Sequence, residues 1–143
     1  IADPMAGDLF FAEKSKCAFR NGERIRCSDT SDLGYSFGCG GGRISPNRAT
    51  VLSRFIAAAA KQEFWISLFG SAAICAVYVA DGRRDWFYAQ GASVWDYAPS
   101  ALLLQEAGCV VTNLAGKPWT LKDTSLVAAN PVLHKKVLAV ANG

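Results

Sequence analysis

The sequence predicts a layered α/β protein, and three observations favour that class. From residue 70 onward, helical patterns alternate with short apolar strands, as in a sheet covered by helices on both faces. Before residue 34, the chain instead has short extended segments joined by turns. The composition, 51% apolar and 19% charged over 143 residues, is typical of a globular chain with a buried core.

Residues 1–33 are expected to form antiparallel hairpins. The stretch from Asp3-Pro4 to Gly7 predicts one chain reversal, and Asn21-Gly22 predicts another because both residues tolerate positive φ. Ile1 would belong to the end of a strand that begins upstream, since neither an initiator methionine nor a charged leader precedes it. We therefore expect the chain to be the later part of a longer protein.

The next segment predicts a short strand, a loop, a helix and a buried strand, in that order. These elements are "LGYSFG", "GCGGGRISPN", "RATVLSRFIAAAAKQ" and "EFWISLF". The helix has apolar residues at 51, 52, 55, 56 and 59, which is close to helical spacing. The glycine-rich loop is not a dinucleotide-binding fingerprint, because Arg43 occupies the third required glycine position and no helix follows at once.

From residue 70 the predicted order is helix, strand, helix, strand, strand and helix. The corresponding stretches are "SAAICAVYVAD", "DWFYA", "YAPSALLLQEA", "CVVTN", "SLVAA" and "PVLHKKVLAVA". The two parts of the chain therefore differ in kind. We place the boundary between residues 33 and 34, with a hairpin region at 1–33 and an α/β domain at 34–143.

Charge and cysteine usage exclude several classes of function. The net charge is only +3 and the arginines are scattered among acids, so we expect no nucleic-acid partner. The five cysteines lie at least ten residues apart with no C-x-x-C pair, which predicts reduced thiols in a cytosol instead of a zinc site or a disulfide framework. They are Cys17, Cys27, Cys39, Cys75 and Cys109. No uncharged run is long enough for a membrane span, so we expect a soluble protein.

Asp96 is the first candidate site residue. It stands where a helix N-cap is expected, with Tyr97, Ala98 and Pro99 as the first turn and Gly108 as the residue that ends the helix. From spacing alone, an ordinary cap contributing about 1 kcal/mol is favoured. The alternative is that one carboxylate oxygen caps the helix while the other binds a hard cation such as Mg²⁺.

Gly70 and Ser71 form the second candidate, because they open a helix that Gly82 ends. The free N–H groups and the positive end of the helix dipole could bind an anion or a hydroxyl there. The alternative is simple capping by Ser71.

Histidine and aromatic residues are expected to be structural. His134 lies beside Lys135 and Lys136 on the last helix and is expected to be solvated at the surface, since no nucleophile or carboxylate is near it in sequence. A stacking platform for nucleic acid would need a basic stripe, which is missing, so a core role is expected for four aromatic residues. These are Trp86, Phe87, Tyr88 and Trp95.

Several motifs carry a resemblance to a known family. The stretch "WDYAPSALLLQEAGCVV" resembles the C-terminal signature of the inositol monophosphatase family. "ADPMAGDLFFAEKSKCAFRNGERIRCS", "GSAAICAVYVADGRRDWFYAQG" and "LVAANPVLHKKVL" resemble, in turn, its hairpin before the second domain, its helix and strand before the signature, and its final strand and helix. The similarity spans nearly the whole chain but covers only the later half of a family member.

The resemblance implies a fold. It is the C-terminal part of the layered α-β-α-β-α sandwich of inositol monophosphatases and fructose bisphosphatases. Residues 1–33 would be a hairpin remnant of the N-terminal metal-binding domain, and residues 34–143 would be the C-terminal α/β domain that carries the signature.

The resemblance also implies a magnesium-dependent, lithium-sensitive phosphomonoesterase, commonly a homodimer, which we expect in the cytoplasm. Metal-activated water would attack the phosphate of a small phosphorylated substrate without a covalent phosphoenzyme. Asp96 matches the signature aspartate that ligates a metal and touches the substrate. Gly70, Ser71 and Ala72 match the short segment that contacts the substrate's alcohol portion.

One departure from the family pattern leaves the substrate open, and an absence limits what the chain does alone. Ala89 stands where inositol-specific members have a substrate-binding glutamate, which leaves inositol phosphates, fructose bisphosphate, histidinol phosphate and nucleotide bisphosphates open as substrates. The family's metal-binding glutamate and its D-P-[ILM]-D-G-T element would lie upstream, because "DPMAGD" at residues 3–8 lacks D-G-T. We therefore expect the chain to be inactive, or nearly so, without the N-terminal half. The alternative is a non-catalytic binding or assembly module.

Overall fold

The computed structural model describes residues 1–41 and 46–143, without the side chain of Asn47. Residues 42–45, which include Arg43 of the predicted glycine-rich loop, lie outside the described residues. In the described part the chain forms two β-sheets and four α-helices. No described helix has both the length and the apolar character needed to cross a membrane.

The first sheet is antiparallel and has four strands in sequence order. They are β1 (Ala2–Asp3), β2 (Asp8–Ala12), β3 (Ala18–Arg20) and β4 (Glu23–Ile25). Both predicted reversals are present. Asn21 and Gly22 join β3 to β4 with φ angles of 50° and 84°, which suits a two-residue hairpin because positive φ matches the twist of the strands.

The second sheet has five strands in the order β6-β5-β7-β9-β8. They are β5 (Phe37–Gly41), β6 (Trp65–Leu68), β7 (Trp86–Gln90), β8 (Val110–Thr112) and β9 (Ser125–Ala129). The pairs β5–β6 and β5–β7 are parallel, whereas β9 is antiparallel to both β7 and β8.

Four helices cover this second sheet on both faces, as predicted. They are α1 (Pro46–Gln62), α2 (Ala72–Ala80), α3 (Val94–Glu106) and α4 (Pro131–Asn142). Along β7 the side chains alternate between two cores: Trp86 and Tyr88 pack with α1 and α4, and Phe87 packs with α2 and α3.

Helices α2 and α3 lie between the two sheets. Phe10 of β2 and Ala18 of β3 belong to the same buried cluster as residues of α2 and α3. The layers are therefore sheet, helix pair, sheet, helix pair, and this arrangement confirms the predicted layered α/β class. The division into 1–33 and 34–143 stays a prediction, because the α2–α3 layer packs against both regions.

The predicted strand and loop around residues 33–42 need correction. Residues Leu33–Tyr35 form a 3₁₀ turn, and the strand is β5, which includes the glycines assigned to the loop. A Cβ on Gly38 would overlap the indole ring of Trp86, so only glycine lets that ring pack across the sheet. Gly40 and Gly41 are closely approached by other residues, Leu68 and Ala72, and composition alone mistakes a strand with three glycines for a loop.

The predicted burial of β6 is also wrong. Strand β6 lies at the edge of the sheet, where Trp65 is 65% and Leu68 is 53% exposed. An apolar run of this length fits a buried strand as well as an edge strand, and nothing in the residues themselves distinguishes the two.

Candidate functional site

Three helix N-termini meet at one edge of the second sheet. The parallel strands β5, β6 and β7 end at residues 41, 68 and 90, and the helices that follow them begin at residues 46, 72 and 94. Because the carboxyl ends of parallel strands share one edge, the N-termini of α1, α2 and α3 lie at that edge. This is where ligands bind in open α/β sheets, and the helix dipoles favour negative charge there.

Two contacts connect these helix starts. A Cβ on Gly41, the last residue of β5, would come within 2.9 Å of the Cα of Ala72 in α2. The Arg48 guanidinium in the first turns of α1 donates to the carbonyl of Gly91, in the loop before α3. The start of α2 is therefore packed against the end of β5, and the start of α1 is connected to the loop before α3.

The start of α2 combines an open turn with a capped helix. Gly70 has a φ of 73° and a Cβ there would have no atom within 4 Å, so this turn is exposed. Ser71 is the N-cap, as predicted, and its Oγ accepts a hydrogen bond from the Ile74 N–H at 3.3 Å. Ala72 is buried, so it could contact a ligand only through its backbone. The segment Gly70–Ala72 thus lies at the predicted edge with its cap in use.

The prediction that Asp96 is the N-cap of α3 is wrong. The helix begins at Val94 and its N-cap is Ser93, so Asp96 is the third helical residue. Its Oδ2 accepts a hydrogen bond from the Ser93 N–H at 3.1 Å, which is the carboxylate half of a capping box. The helix starts early because this pair supplies the cap three residues before the expected one.

The position of Pro99 changes accordingly. It is the sixth helical residue instead of part of the first turn. Its ring therefore removes the intrahelical hydrogen bond that the Trp95 carbonyl would accept, so Pro99 is not neutral here. The other end of α3 agrees with the sequence, since Gly108 follows it with a φ of 93°. The Cys109 N–H then closes the end on the Leu104 carbonyl at 2.9 Å.

Only one oxygen of the Asp96 carboxylate accepts a hydrogen bond from the described residues. Oδ2 is held by Ser93, whereas Oδ1 receives no hydrogen bond from the residues that the structure describes. Asp96 is half-buried, and it lies in the first turn of α3. A carboxylate oxygen in this position is a suitable ligand for a hard cation.

Tyr97 fixes the loop that leads to Asp96. Its hydroxyl accepts from the Ala92 N–H at 3.0 Å and donates to the Thr124 carbonyl at 3.1 Å. The Gly91 N–H donates to the same carbonyl at 2.6 Å. Burial raises the pKa of Tyr97, so this phenol stays protonated and keeps its donor role at neutral pH. Sequence reasoning placed Tyr97 only in the buried side of the helix and missed Arg48, because no local pattern connects either residue to the loop at 91–93.

Ala89 stands where a substrate-binding glutamate was considered in the sequence, and it has a small apolar side chain. It is fully buried in β7 and belongs to the core against α2 and α3. Its neighbour Tyr88 has its hydroxyl on the Gln90 Oε1 at 2.8 Å, and burial raises the pKa of Tyr88 to about 12. This part of β7 therefore presents no carboxylate.

The expectations for His134 and Trp95 need correction. His134 is 4% exposed instead of solvated, and its Nε2 lies 3.0 Å from the Thr112 Oγ1. Burial lowers its pKa, so the ring is neutral in the folded protein at neutral pH. Trp86, Phe87 and Tyr88 are core residues as expected, but Trp95 is 74% exposed.

The metal-binding capacity of the described residues is limited. Among residues 1–41 and 46–143, no group of three or more histidine, cysteine, aspartate and glutamate side chains could hold a metal ion. Asp96 fits such an ion as one ligand, because one of its oxygens is positioned by the backbone and the other is directed to no described donor. All five cysteines are free thiols.

The fold and this edge of the sheet define a layered α/β protein with an aspartate in the first turn of a helix. One oxygen of that aspartate accepts a backbone hydrogen bond. The chain belongs to the inositol monophosphatase family, whose sequence model matches residues 1–142. That match confirms the resemblance on which the sequence expectations rested.

Individual relatives agree with this assignment. The chain is 32% identical to the fructose-1,6-bisphosphatase/inositol-1-monophosphatase of Thermotoga maritima, over 97% of this chain and 52% of the relative. It is 34% identical to the Nus factor SuhB of Escherichia coli, over 97% of this chain and 52% of that protein. The crystal structure of the suppressor protein SuhB from Bartonella henselae superposes with a TM-score of 0.88 at 30% identity, over 96% of this chain and 53% of that one. The chain spans about half the length of these relatives.

Proposed function

We propose that this chain is part of a magnesium-dependent phosphomonoesterase that hydrolyses a small phosphorylated alcohol or sugar by metal-activated water. The observation that supports the proposal is the Asp96 carboxylate, with Oδ2 on the Ser93 N–H and Oδ1 left for a ligand. The relative from Thermotoga maritima carries both phosphatase names. A homodimer in the cytoplasm remains part of this proposal.

In this proposal Asp96 holds one magnesium ion through Oδ1. A bound ion would supply charge stabilisation for the phosphate and a lowered pKa for a water ligand. The capping hydrogen bond and the Tyr97 loop fix the direction of the Asp96 carboxylate before any ligand arrives. That fixed direction reduces the entropic cost of assembling the site.

Gly70, Ser71 and Ala72 bind the substrate in the proposed function. Gly70 is exposed with an open space around its Cα, so a ligand can approach the backbone closely. The first N–H groups of α2 and its dipole favour an oxygen-rich ligand. Since Ala89 offers no carboxylate, the selection among inositol phosphates, fructose bisphosphate, histidinol phosphate and nucleotide bisphosphates depends on other residues.

The chain needs further carboxylates for this chemistry. A magnesium ion takes six oxygen ligands, and one aspartate cannot hold two such ions. We propose that an N-terminal half supplies the remaining ligands, consistent with relatives about twice as long as this chain.

Substitution of Asp96 in the full-length protein tests the proposal. Asp96→Asn keeps one acceptor for the Ser93 N–H but removes the negative charge, so we expect kcat for phosphate release with Mg²⁺ to fall at least about a hundredfold. The substrate panel should include the four substrate classes above, and lithium should inhibit the parent protein. Asp29→Asn is the matched control, because Asp29 is exposed and distant in sequence from the site. Unchanged turnover in Asp96→Asn would return this residue to capping alone.

A second function is a non-catalytic binding or assembly module. It is favoured by relatives that are named Nus factor SuhB instead of phosphatase. For this function we expect no magnesium-dependent hydrolysis of any substrate in the panel by the full-length protein. The coding sequence before Ile1 also distinguishes the two: an open frame encoding D-G-T supports the enzyme, and a start codon there supports the module. The absence of a nucleic-acid partner stays a prediction.

A further inference from the structure

Four of the five cysteines lie in two neighbouring pairs that the proposed function does not use. The side chain of Cys27 lies beside Gly108, next to Cys109, and the Cys75 thiol donates to the carbonyl of Gly40, next to Cys39. The two pairs differ in access to solvent. Cys39 and Cys75 are both fully buried, whereas Cys27 is only half-buried and Cys109 is 8% exposed.

The backbone brings Cys27 to the end of α3. Cys27 follows β4 by two residues, and its N–H donates to the Ala107 carbonyl at 3.0 Å. Its Sγ lies 3.8 Å from the place where a Cβ on Gly108 would stand. Cys109 is fixed in turn, since its own N–H closes the end of α3 on Leu104. Both sulfur atoms therefore belong to ordered, hydrogen-bonded segments.

The two thiols of this pair are chemically unequal. The hydrogen bond from the Cys109 thiol lowers the pKa of Cys27, although burial acts in the other direction. The same hydrogen bond, together with burial, raises the pKa of Cys109 well above its ordinary value. Because the thiolate is the reactive form, Cys27 is the nucleophile of the pair, and it is also the more accessible one.

We propose that Cys27 and Cys109 form a reversible disulfide, with Cys27 as the peroxide-reactive thiol and Cys109 as the resolving thiol. The Cys27 thiolate attacks an oxygen of hydrogen peroxide, which breaks the O–O bond and gives Cys27 sulfenic acid and, after protonation, one water. The Cys109 sulfur then attacks the Cys27 sulfur, forming the S–S bond and releasing a second water. Two thiols are oxidised, one peroxide is reduced, and a dithiol reductant reverses the reaction.

The buried pair explains why the reaction is specific. The Cys75 thiol donates to the Gly40 carbonyl inside the layer between α2 and the sheet, at 3.4 Å. Peroxide cannot reach Cys39 or Cys75 without opening that layer, because neither side chain is exposed. Cys17 is half-buried, and its N–H is held by the Glu106 carboxylate at 3.0 Å. It serves as an accessible thiol without a role in the proposed bond.

Formation of the bond would connect the hairpin region to the end of α3. It would close a loop that includes β5, β6, β7 and three helices, and loops of this length restrict the unfolded chain strongly. We therefore expect the oxidised protein to have a higher Tm than the reduced protein.

Peptide mapping by mass spectrometry tests the proposal directly. Reduced full-length protein is treated with hydrogen peroxide, alkylated with iodoacetamide and digested. We expect a linked peptide that contains Cys27 and Cys109, with Cys39 and Cys75 alkylated only after unfolding. Cys17→Ser should retain the link and the higher Tm. Cys27→Ser should lose both. In Cys109→Ala, Cys27 should accumulate as sulfenic acid that dimedone traps.

The result in the parent protein decides the matter even where a variant folds poorly. The proposal would be wrong if, after peroxide treatment of the parent protein, the Cys27 thiol remained reduced and was alkylated. It would also be wrong if Cys27 became sulfinic acid with no link to Cys109. A link between Cys39 and Cys75 in place of the proposed one would contradict it as well. None of these results depends on phosphatase activity.

Discussion

At the scale of single residues, Asp96 is held to its helix by one carboxylate oxygen, as predicted, but it lies at a different helix position from the expected one. The residue was predicted as a candidate ligand with one oxygen used by the helix, and the hydrogen bond from Ser93 agrees with that division. The cap itself is Ser93, which the sequence did not reveal because both serine and aspartate are good capping residues. Only the backbone geometry distinguishes a cap from the third helical residue.

The capping role of Asp96 can be separated from a metal-binding role by stability measurements. Asp96→Ala removes the acceptor of the Ser93 N–H and a negative charge from the helix start, so we expect a loss of about 1 kcal/mol in the free energy of unfolding. Asp96→Asn retains an acceptor oxygen and should cost less. Urea unfolding monitored by circular dichroism provides both values. Equal stability of Asp96→Ala and the parent protein would contradict the cap.

His134 was predicted to be solvated because lysines flank it, yet it faces the core next to Thr112. A single histidine on a helix with mixed polarity does not indicate its own face, since apolar and charged residues alternate around it. Its burial makes the protein sensitive to pH.

The pH dependence has a defined sign. Because burial lowers the pKa of His134 below its ordinary 6.5, the unfolded chain binds a proton more readily than the folded one. The contribution of His134 to the free energy of unfolding is fully present above pH 6.5, and it declines as the pH falls below that value. We expect the free energy of unfolding to fall more between about pH 7 and about pH 5.5 in the parent protein than in His134→Gln. Equal slopes in the two proteins would contradict the burial of the ring.

At the scale of secondary-structure elements, turns and helix ends were predicted best where they need a positive φ angle, which few residue types adopt. The Asn21-Gly22 hairpin and the Gly108 helix end both have positive φ, as expected. Helices α1, α2 and α4 were predicted within two residues of their ends. Strand β5 was predicted too early in the chain, because Gly38 is required by the ring of Trp86 on a strand 48 residues later, which no local pattern reports.

The role of Gly38 in β5 can be measured. Gly38→Ala would place a methyl group against the buried Trp86 indole, so we expect a loss of about 2 to 3 kcal/mol in the free energy of unfolding. Gly40→Ala is the matched control in the same strand. Its new Cβ would meet only the end of the Leu68 side chain, which is 53% exposed and can move, so its cost should stay below about 1 kcal/mol. A reversed order of the two losses would contradict the packing of Trp86 over Gly38.

At the scale of the whole molecule, the layers explain which faces are covered. In β2, Phe10 is buried against the α2–α3 layer, while its neighbours Leu9 and Phe11 point away and are 61% and 59% exposed. The turn residues predicted the hairpins, but they gave no indication that α2 and α3 are shared by two sheets. That arrangement depends on long-range packing, which local spacing does not encode.

Residues 1–143 are expected to need a partner segment for catalysis. Residues 1–143 alone should release almost no phosphate from any of the four substrate classes with Mg²⁺, because Asp96 is one carboxylate and each ion needs more oxygen ligands. The full-length protein should be active and inhibited by lithium. A colorimetric phosphate assay on both proteins at equal concentration checks this. Strong magnesium-dependent turnover by residues 1–143 alone would contradict the prediction.

The hydrogen bond between Ser93 and Asp96 would couple local order to the proposed chemistry. The same contact that holds the first turn of α3 together also aims the carboxylate, so fraying of that turn would release the ligand and the helix end at once. A protein can therefore lose its reactive geometry through a brief local opening while every other layer stays intact. Slow amide hydrogen exchange at Ser93 would then report that the first turn of α3 is intact, well before any global unfolding is detected.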